Sequence, residues 1–322
     1  MFDSLAAHEL RQTLPPVDLK AFPSRSPLFE QYRQHYGLDF PDNAKLGHLQ
    51  HSIGYFDSEQ YTVSCQQFVL DESACAGTIF LVHGYYDHIG LYEHLIEYWL
   101  LRGFRLIAFD LPGHGLSSGG PAVIESFASY CAALGKLIAL AHQAQLPKPW
   151  HIMGQSTGCS IIMDYCLEDC GRSEELFDEV VLLAPLVKPY QWWRGSLLHS
   201  VLEPFVDGVP RNFVDNSGDL EFLEFVRDGD PLQSRRLSAK WVRALKTWLQ
   251  RFDALPNCTR ALTIIQGTDD KTVDWRYNIA AIQRKFSHVQ VHRIAQARHH
   301  LVNERPAIRS QIFDILNETI SG

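Results

Sequence analysis

The sequence predicts a doubly wound α/β fold, in which a mostly parallel sheet carries helices on both faces. Two features predict it: short apolar runs rich in β-branched residues, and longer helix-like segments between them. A run that is apolar on both faces is typical of a strand inside a covered parallel sheet. The predicted strands are 78–82, 105–109, 151–153, 180–184, 262–265 and 289–294. The segments that are long enough for crossover helices include 91–102, 124–144 and 160–169.

The first sixty residues do not follow this alternation. Prolines interrupt them repeatedly from Pro15 to Pro41, and proline is disfavoured inside both helices and sheets. We therefore expect residues 1–60 to form an irregular extension that packs on the core. An antiparallel strand near residues 61–70 is expected to follow it.

The longest interruption runs from residue 187 to residue 256, between two predicted strands. A structureless loop of this length is unusual inside a compact domain. Within residues 238–251, five apolar residues fall at helical spacing on one face. They are Trp241, Ala244, Leu245, Trp248 and Leu249. We therefore expect 187–256 to be an inserted helical cap on a core formed by 61–186 and 257–322.

Composition and charge narrow the class of protein. The chain has 322 residues, of which 46% are hydrophobic, so a large core can form and a disordered chain is excluded. The 29 Lys and Arg residues against 37 Asp and Glu residues give a net charge of −8. Proteins that grip nucleic acid usually carry a basic excess. We expect no nucleic-acid partner.

The cysteines and the amino terminus bear on compartment. The start shows no basic segment followed by an apolar one, and no apolar run approaches the roughly 20 residues of a membrane span. Cys166 and Cys170 lie four apart without a second ligand pair nearby, so we expect small buried hydrophobic residues and no metal site. These features predict a soluble, cytoplasmic protein of a reducing compartment.

A glycine-flanked serine follows the predicted strand 151–153. The segment reads Gly154-Gln155-Ser156-Thr157-Gly158 and precedes a helix-like stretch. G-x-S-x-G between a strand and a helix is typical of a nucleophile elbow, where a strained turn exposes the serine Oγ and small neighbours prevent collisions. The five letters alone also fit an ordinary turn. In this context we predict that Ser156 is a nucleophile.

A serine nucleophile needs a base and an orienting carboxylate, which this architecture supplies after late strands. Strand 262–265 leads into a turn with three aspartates, and strand 289–294 leads into a pair of histidines. The candidates are Asp269, Asp270, Asp274, His299 and His300. Because the carboxyl ends of parallel strands meet at one edge of the sheet, we expect these side chains near Ser156.

Two backbone amides are expected to stabilise an oxyanion. One belongs to Thr157, directly after the nucleophile. The other belongs to the loop that begins His83-Gly84, where the amide of Tyr85 is the natural donor. The alternative for His83-Gly84 is a plain turn at the end of a strand with a hydrogen-bonded histidine.

Taken in order, the motifs resemble the α/β-hydrolase superfamily, and within it the branch of monoacylglycerol lipases, lysophospholipases and serine aminopeptidase-like hydrolases. The resemblance covers about residues 60–322. The matching segments are 81–88 with Tyr92, 109–117, 154–158, 184–186, 267–270 and 298–304. It implies that the acid is Asp270 and the base is His299. It leaves His300 as a packed or solvated neighbour and makes His114 part of a structural turn.

The resemblance also implies an activity. Ser156, His299 and Asp270 would cleave a carboxylic ester, such as a monoacylglycerol or lysophospholipid, through an acyl-enzyme and without a metal or organic cofactor. Three alternatives stay open: a peptidase or amidase with the same triad, acyl transfer to an alcohol, and a non-catalytic binding protein on the same scaffold. The acidic stretch from Asp215 to Asp230 is expected to be a solvated cap surface, although it would suit the amine of a peptide.

The substrate pocket is less defined by the sequence. Relatives often have a small residue where this chain has Tyr85 and Tyr86, so we expect a narrowed acyl pocket. Tyr86, Trp192 and Trp193 are the candidate substrate-binding residues. The cap tryptophans suit an acyl-chain tunnel, packing of cap on core, or a transient contact with a membrane surface. The sequence leaves the oligomeric state open.

Overall fold

The computed structural model describes residues 2–23, 25–192 and 206–321. In chain order, the strands of these ranges are β1 (Gln50–Ser58), β2 (Tyr61–Val69), β3 (Gly77–Val82), β4 (Phe104–Phe109), β5 (Trp150–Gln155), β6 (Glu179–Leu183), β7 (Gly208–Pro210), β8 (Arg236–Ser238), β9 (Cys258–Gly267) and β10 (Phe286–Ile294). The α-helices are α1 (Ser4–Thr13), α2 (Pro27–His35), α3 (Glu93–Leu100), α4 (Phe127–Ala144), α5 (Thr157–Glu168), α6 (Cys170–Leu176), α7 (Leu220–Glu224), α8 (Ala239–Ala254), α9 (Trp275–Lys285) and α10 (Pro306–Ser321).

One eight-stranded sheet, in the order β1-β2-β4-β3-β5-β6-β9-β10, organises the molecule. β2 is antiparallel to both of its neighbours, and the remaining pairs are parallel. Every residue of β3, β4 and β5 is buried, which explains why these strands are apolar on both faces. The predicted α/β fold and its strands are confirmed.

The first half of β9 was missed because its residues alternate between buried and exposed positions. The prediction relied on a continuous apolar run, and only the second half of the strand has one. The extra residues lie at the start of the strand, away from the carboxyl edge of the sheet. The candidate site residues that follow β9 are therefore unaffected.

β3 lies between β4 and β5 in the sheet, so the chain reverses its direction of winding at this strand. At such a switch point, the loops after adjacent strands diverge to opposite faces and leave a crevice at the carboxyl edge. The loop after β3 begins at His83, and the loop after β5 contains Ser156. The topology thus brings the two predicted halves of the site together.

The amino-terminal residues are more regular than predicted. They contain α1, α2 and the edge strand β1. Asp3 caps α1 by accepting from the amides of Leu5 and Ala6, and Ser26 caps α2 directly before a proline in its first turn. The extension packs on the core, because the buried Tyr32 of α2 accepts a 2.9 Å hydrogen bond from Gln66 of β2.

We call the segment between β6 and β9 the cap, and the large sheet with the helices around it the body. The described residues of the cap form a short antiparallel pair, β7 with β8, together with α7 and α8. The predicted helix is α8, and its Trp241 and Trp248 are buried as its spacing indicated. The ring of Trp248 stacks on Phe127 of α4 with centroids 5.5 Å apart. The strand pair was not predicted, because three-residue strands give no periodic signal.

The structure corrects one prediction about cysteine. Cys170, expected to be a small buried hydrophobic residue, forms a disulfide with Cys258. The bridge joins the start of α6 to the start of β9. Cys166 is a buried free thiol, as expected. Among the described residues, no helix is both long enough and apolar enough to cross a bilayer.

Candidate active site

Ser156 occupies the sharp turn between β5 and α5. Its backbone has φ 53° and ψ −111°, a region that is sparsely populated by residues other than glycine. A Cβ atom at Gly154 would lie 2.7 Å from the carbonyl carbon of Gly158, and one at Gly158 would collide with the carbonyl oxygen of Val82. The turn therefore closes only with glycine on both sides of the serine, which is the geometry expected of a nucleophile elbow.

The acid and the base meet at the same edge of the sheet. His299 Nδ1 lies 2.8 Å from Asp270 Oδ2, and both side chains are buried. Burial opposes ionisation of Asp270, but the contact with His299 and the hydrogen bonds from two backbone amides together lower the pKa of the carboxyl. An ionised Asp270 accepts the hydrogen from Nδ1, which leaves Nε2 of the ring as the proton acceptor.

The other two candidate acids have different roles. Asp269 is exposed, although it is the immediate neighbour of Asp270. Asp274 is the N-cap of α9 and accepts a hydrogen bond from the amide of Tyr277.

The carboxylate of Asp270 has further hydrogen-bond donors in the same turn. The amides of Thr272 and Val273 donate to Asp270 Oδ1 at 2.8 and 3.1 Å. This bonding holds the Asp270 carboxylate in its orientation toward His299.

Backbone contacts fix the position of His299 relative to the nucleophile. Gln155, adjacent to Ser156, donates from Nε2 to the carbonyl oxygen of His299 at 2.8 Å. The amides of His299 and His300 donate to the carbonyl oxygen of Asn216 at 2.9 and 2.7 Å. Within the described residues, no hydrogen bond joins Ser156 Oγ to the imidazole, but both side chains border one cavity. Such a bond commonly tightens only when substrate is bound.

The two predicted oxyanion donors border the same cavity. Thr157 is the first residue of α5, where the amide has no partner within the helix. Tyr85 is held through its side chain: its hydroxyl donates to the carbonyl oxygen of Ala122 at 2.9 Å, and its ring stacks on Trp241 at 3.9 Å.

His83 fixes the start of the loop that carries Tyr85, since its Nε2 accepts from the amide of Leu111 at 2.8 Å. The hydrogen-bonded histidine expected for His83-Gly84 is thus present, and the role of the Tyr85 amide as an oxyanion donor stays a prediction.

The cavity has a volume of about 600 Å³, which is in the range of small-molecule sites. Body and cap both contribute to its walls. Of the predicted substrate-binding residues, Tyr86 and Trp192 line it, and Trp193 lies outside the described residues. The cap residue Trp241 also lines the cavity, so this tryptophan both joins cap to body and faces the site.

A second histidine–aspartate contact stands beside the first. His300 Nε2 lies 3.3 Å from Asp87 Oδ2, which also accepts from Tyr92 Oη at 3.1 Å. Burial opposes ionisation of Asp87, but His300, His83 and Tyr92 together hold the pKa of the carboxyl well below its usual range. His300 is therefore the packed neighbour that the sequence allowed.

His114 is buried, and its Nδ1 is hydrogen-bonded to the carbonyl oxygen of Pro112 at 3.1 Å. This contact is in keeping with a structural turn.

The prediction of a solvated acidic cap surface is wrong for Asp230. Its side chain is fully buried and lies 2.9 Å from His88 Nε2. Tyr36 and Gln233 also donate to it, at 2.7 and 2.8 Å. Burial opposes ionisation of Asp230, but His88 and the other donors lower the pKa to about 2. A partner so distant in the sequence leaves no local signal.

Sequence reasoning missed many of the residues that line the cavity, among them one cationic and one amide side chain of the cap. These two residues are Arg211 and Asn216, which stand in the irregular part of the cap. Neither belongs to a motif or to a periodic element. A lone arginine or asparagine in such a segment usually indicates a solvated loop, so no pattern in the sequence could have separated them from their neighbours.

Comparison with known proteins assigns the class and then the family. The monoglyceride lipase of Saccharomyces cerevisiae, a soluble variant in complex with a substrate analogue, superposes with a TM-score of 0.69 at 15% identity, over 83% of this chain and 94% of that chain. With the sheet order and the elbow described above, this likeness defines the fold as that of an α/β hydrolase. The family described as serine aminopeptidase, S33, matches residues 73–306, and the chain belongs to it.

Two relatives have related names. The monoacylglycerol lipase of Mycolicibacterium smegmatis is 23% identical over 254 residues, covering 76% of this chain and 88% of that protein. Phospholipase YtpA of Bacillus subtilis is 24% identical over 247 residues, covering 73% and 91%. The predicted resemblance to the monoacylglycerol lipase branch of the α/β hydrolases is confirmed.

Proposed function

We propose that this protein is a serine hydrolase that cleaves the carboxylic ester of a single-chain lipid, of the monoacylglycerol or lysophospholipid type. One observation carries the proposal: the buried contact of His299 with Asp270 stands at the cavity that Ser156 borders from a strained turn. The names of the lipase and phospholipase relatives support a lipid ester as the substrate.

In the proposed reaction, Ser156 Oγ attacks the ester carbonyl while His299 Nε2 accepts its proton. The carbonyl oxygen becomes an oxyanion, which the amides of Tyr85 and Thr157 stabilise. The protonated His299 then delivers the proton to the departing alcohol. Water, activated by the same imidazole, attacks the acyl-enzyme and releases the fatty acid and the free serine. Asp270 stabilises the charged imidazole in both steps.

The peptidase alternative rested on the acidic stretch 215–230, and no carboxylate of that stretch is among the described residues that line the cavity. Asp230, part of the acidic stretch, is paired with His88 and buried, so it is not offered to a peptide amine. The carboxylate of Asp87 borders the cavity but is engaged by His300 and Tyr92. The apolar character of Leu186, Trp192 and Trp241 suits an acyl chain better than a charged amino terminus.

A matched pair of substrates tests the proposal. p-Nitrophenyl hexanoate and the p-nitroanilide of hexanoic acid share an acyl group and differ only in the bond cleaved, and 1-lauroylglycerol serves as the lipid substrate. We expect turnover of both esters, little cleavage of the anilide, and loss of turnover in Ser156→Ala. A preference for an amino-terminal aminoacyl anilide over the esters would instead identify a peptidase.

A further inference from the structure

One cationic side chain faces the cavity. Arg211 follows β7 in the cap and lines the same space as Ser156 and His299. Among the described residues that line this space, it is the only lysine or arginine. Because the surrounding walls are largely aromatic and aliphatic, the charge of Arg211 dominates its part of the cavity.

Stacking contacts fix the guanidinium in place. Its carbon lies 3.9 Å from the ring centre of Tyr86 and 4.3 Å from that of Phe213. Nη1 donates to Gln233 Oε1 at 2.5 Å and to the carbonyl oxygen of Ser234 at 3.4 Å. A guanidinium that contacts two aromatic rings and donates to two fixed acceptors is preorganised, so little side-chain entropy is lost when it binds a ligand.

The opposite edge of the guanidinium remains available. In the described part of the chain, no acceptor bonds Nε or Nη2 of Arg211, and no carboxylate lies within ion-pairing distance of the group. Asp87 is the one carboxylate among the described residues that line the cavity, and it is already engaged by His300 and Tyr92. The Nε and Nη2 donors form the planar fork that matches two oxygens of a carboxylate or phosphate.

Arg211 contacts the loop that carries one of the two proposed oxyanion donors. Tyr86, on which Arg211 stacks, is the residue directly after the proposed oxyanion donor Tyr85. Its backbone has a φ of 71°, which turns the chain sharply between the two tyrosines. A ligand whose ester carbonyl is held at Tyr85 and Thr157 therefore occupies the cavity that Arg211 also lines.

We propose that Arg211 binds an anionic group, a phosphate or a carboxylate, carried by the ester substrate. This inference rests on the proposed ester hydrolase function and narrows its substrate class. The enzyme then prefers acidic single-chain esters to neutral monoacylglycerols. The two sources of the anion differ in place: a phosphate belongs to the alcohol side of the ester, and a carboxylate can belong to the acyl side.

Two substrate pairs separate these sources. On the alcohol side, 1-lauroylglycerol 3-phosphate is compared with 1-lauroylglycerol. On the acyl side, the mono-p-nitrophenyl ester of adipic acid is compared with p-nitrophenyl hexanoate. Each pair shares its chain and differs by one anionic group. kcat and KM are measured for the wild-type protein, Arg211→Gln, Arg211→Lys and a control, Arg235→Gln.

The control removes an equal charge from the same region. Arg235 also lies over Phe213, at 5.2 Å, but it is exposed and does not line the cavity. In Arg211→Gln we expect KM for one or both anionic substrates to rise about 10- to 100-fold. KM for the neutral partners should stay unchanged, Arg211→Lys should recover part of the loss, and Arg235→Gln should resemble the wild type.

Parallel losses on the anionic and neutral members of a pair would overturn the proposal, because they would mean that Arg211 only holds the cap to Tyr86. Equal wild-type KM values within both pairs would overturn it as well.

Binding of dodecyl phosphate, followed by calorimetry, provides a readout without turnover. If no ester is cleaved but dodecyl phosphate binds the wild type and not Arg211→Gln, the proposed function fails and the anion site stands. If it binds neither protein, both fail.

Discussion

Neighbouring residues at the candidate site differ sharply in environment, and this makes their roles separable by mutation. Asp269 and Asp270 are adjacent, but the first is exposed and the second is buried against His299. His299 and His300 are likewise adjacent and face different aspartates. Residues that are adjacent in these turns thus have different burial and different partners, so sequence proximity says little about function here.

The nucleophile is the first residue-scale prediction. Ser156→Ala should lose nearly all esterase turnover, since the comparable serine substitution in subtilisin costs roughly 10⁶-fold, and it should no longer react with a fluorophosphonate probe. Ser160→Ala is the control, because Ser160 lies in the first turns of α5, directly after the elbow, but its hydroxyl donates to the carbonyl oxygen of Leu186. Undiminished labelling of Ser156→Ala, or its loss in Ser160→Ala alone, would show that the nucleophile is misassigned.

The second residue-scale prediction concerns the acid of the proposed triad. Asp270→Asn should reduce kcat about 10⁴-fold, because an amide at this position favours the wrong tautomer of the histidine. Asp269→Asn should change kcat little, since its side chain is exposed. Both variants are compared on p-nitrophenyl hexanoate, with circular dichroism as a check of folding. The reverse ranking of the two variants would move the acid by one residue.

At the scale of elements, the position of the site follows from the junction of β5 with α5. The helix packs so closely on β3 that Gly158 meets the carbonyl group of Val82. The same closeness brings the first amide of α5 to the cavity. The packing that strains Ser156 is thus also the packing that positions one proposed oxyanion donor.

Gly158→Ala tests this junction. The added methyl group has no space beside Val82, and overpacking a core typically costs about 1–3 kcal/mol. We expect a drop of that size in the free energy of unfolding, measured with urea, together with loss of esterase activity. Gly171→Ala on α6 is the control, because a Cβ there meets no atom within 4 Å. Equal stability of the two variants would contradict the described packing.

At the scale of the whole molecule, three regions that are distant in sequence meet at one buried carboxylate. Asp230 of the cap receives hydrogen bonds from Tyr36 of the amino-terminal extension and from His88 of the body. His88 also belongs to the loop that carries Tyr85. The pair therefore connects the cap to the loop that borders the active site.

This pair predicts a pH dependence of stability. Burial opposes protonation of His88, but Asp230, together with the charges of Asp110 and Asp87, raises the pKa above the ordinary 6.5. The contribution of His88 is thus complete below about pH 6.5 and is lost as the pH rises through the higher folded-state pKa. Asp230 has a lowered pKa of about 2, so its contribution is lost only as the pH falls from near 4 toward 2.

Replacing the histidine tests the prediction. The loss in unfolding free energy caused by His88→Gln should be about 1.5–3 kcal/mol near pH 5, and smaller near pH 9. Urea denaturation at both values measures it. His142→Gln, at an exposed histidine, should cost little at either pH. A loss that is the same at both pH values would mean that the charge of His88 contributes nothing.

The sequence alone determined the features that rest on local physics. Continuous apolar runs identified the buried strands, helical spacing identified α8, and two glycines around Ser156 identified the elbow. The order of the motifs placed Asp270 and His299 after the correct strands. These signals survive in one dimension because each reports on neighbours within a few residues, where backbone geometry and burial periodicity act.

Only the tertiary structure decided the rest. The contact of Asp230 with His88, the stacking of Arg211 on Tyr86 and the bridge between Cys170 and Cys258 each join residues that the chain keeps far apart. Which residues become partners depends on how the cap and the outer strands pack on the body. This packing produces no periodic pattern in the sequence. The sequence around a charged residue in an irregular segment looks the same whether its side chain faces solvent or a cavity. The environment of such a residue is therefore known only from the folded structure.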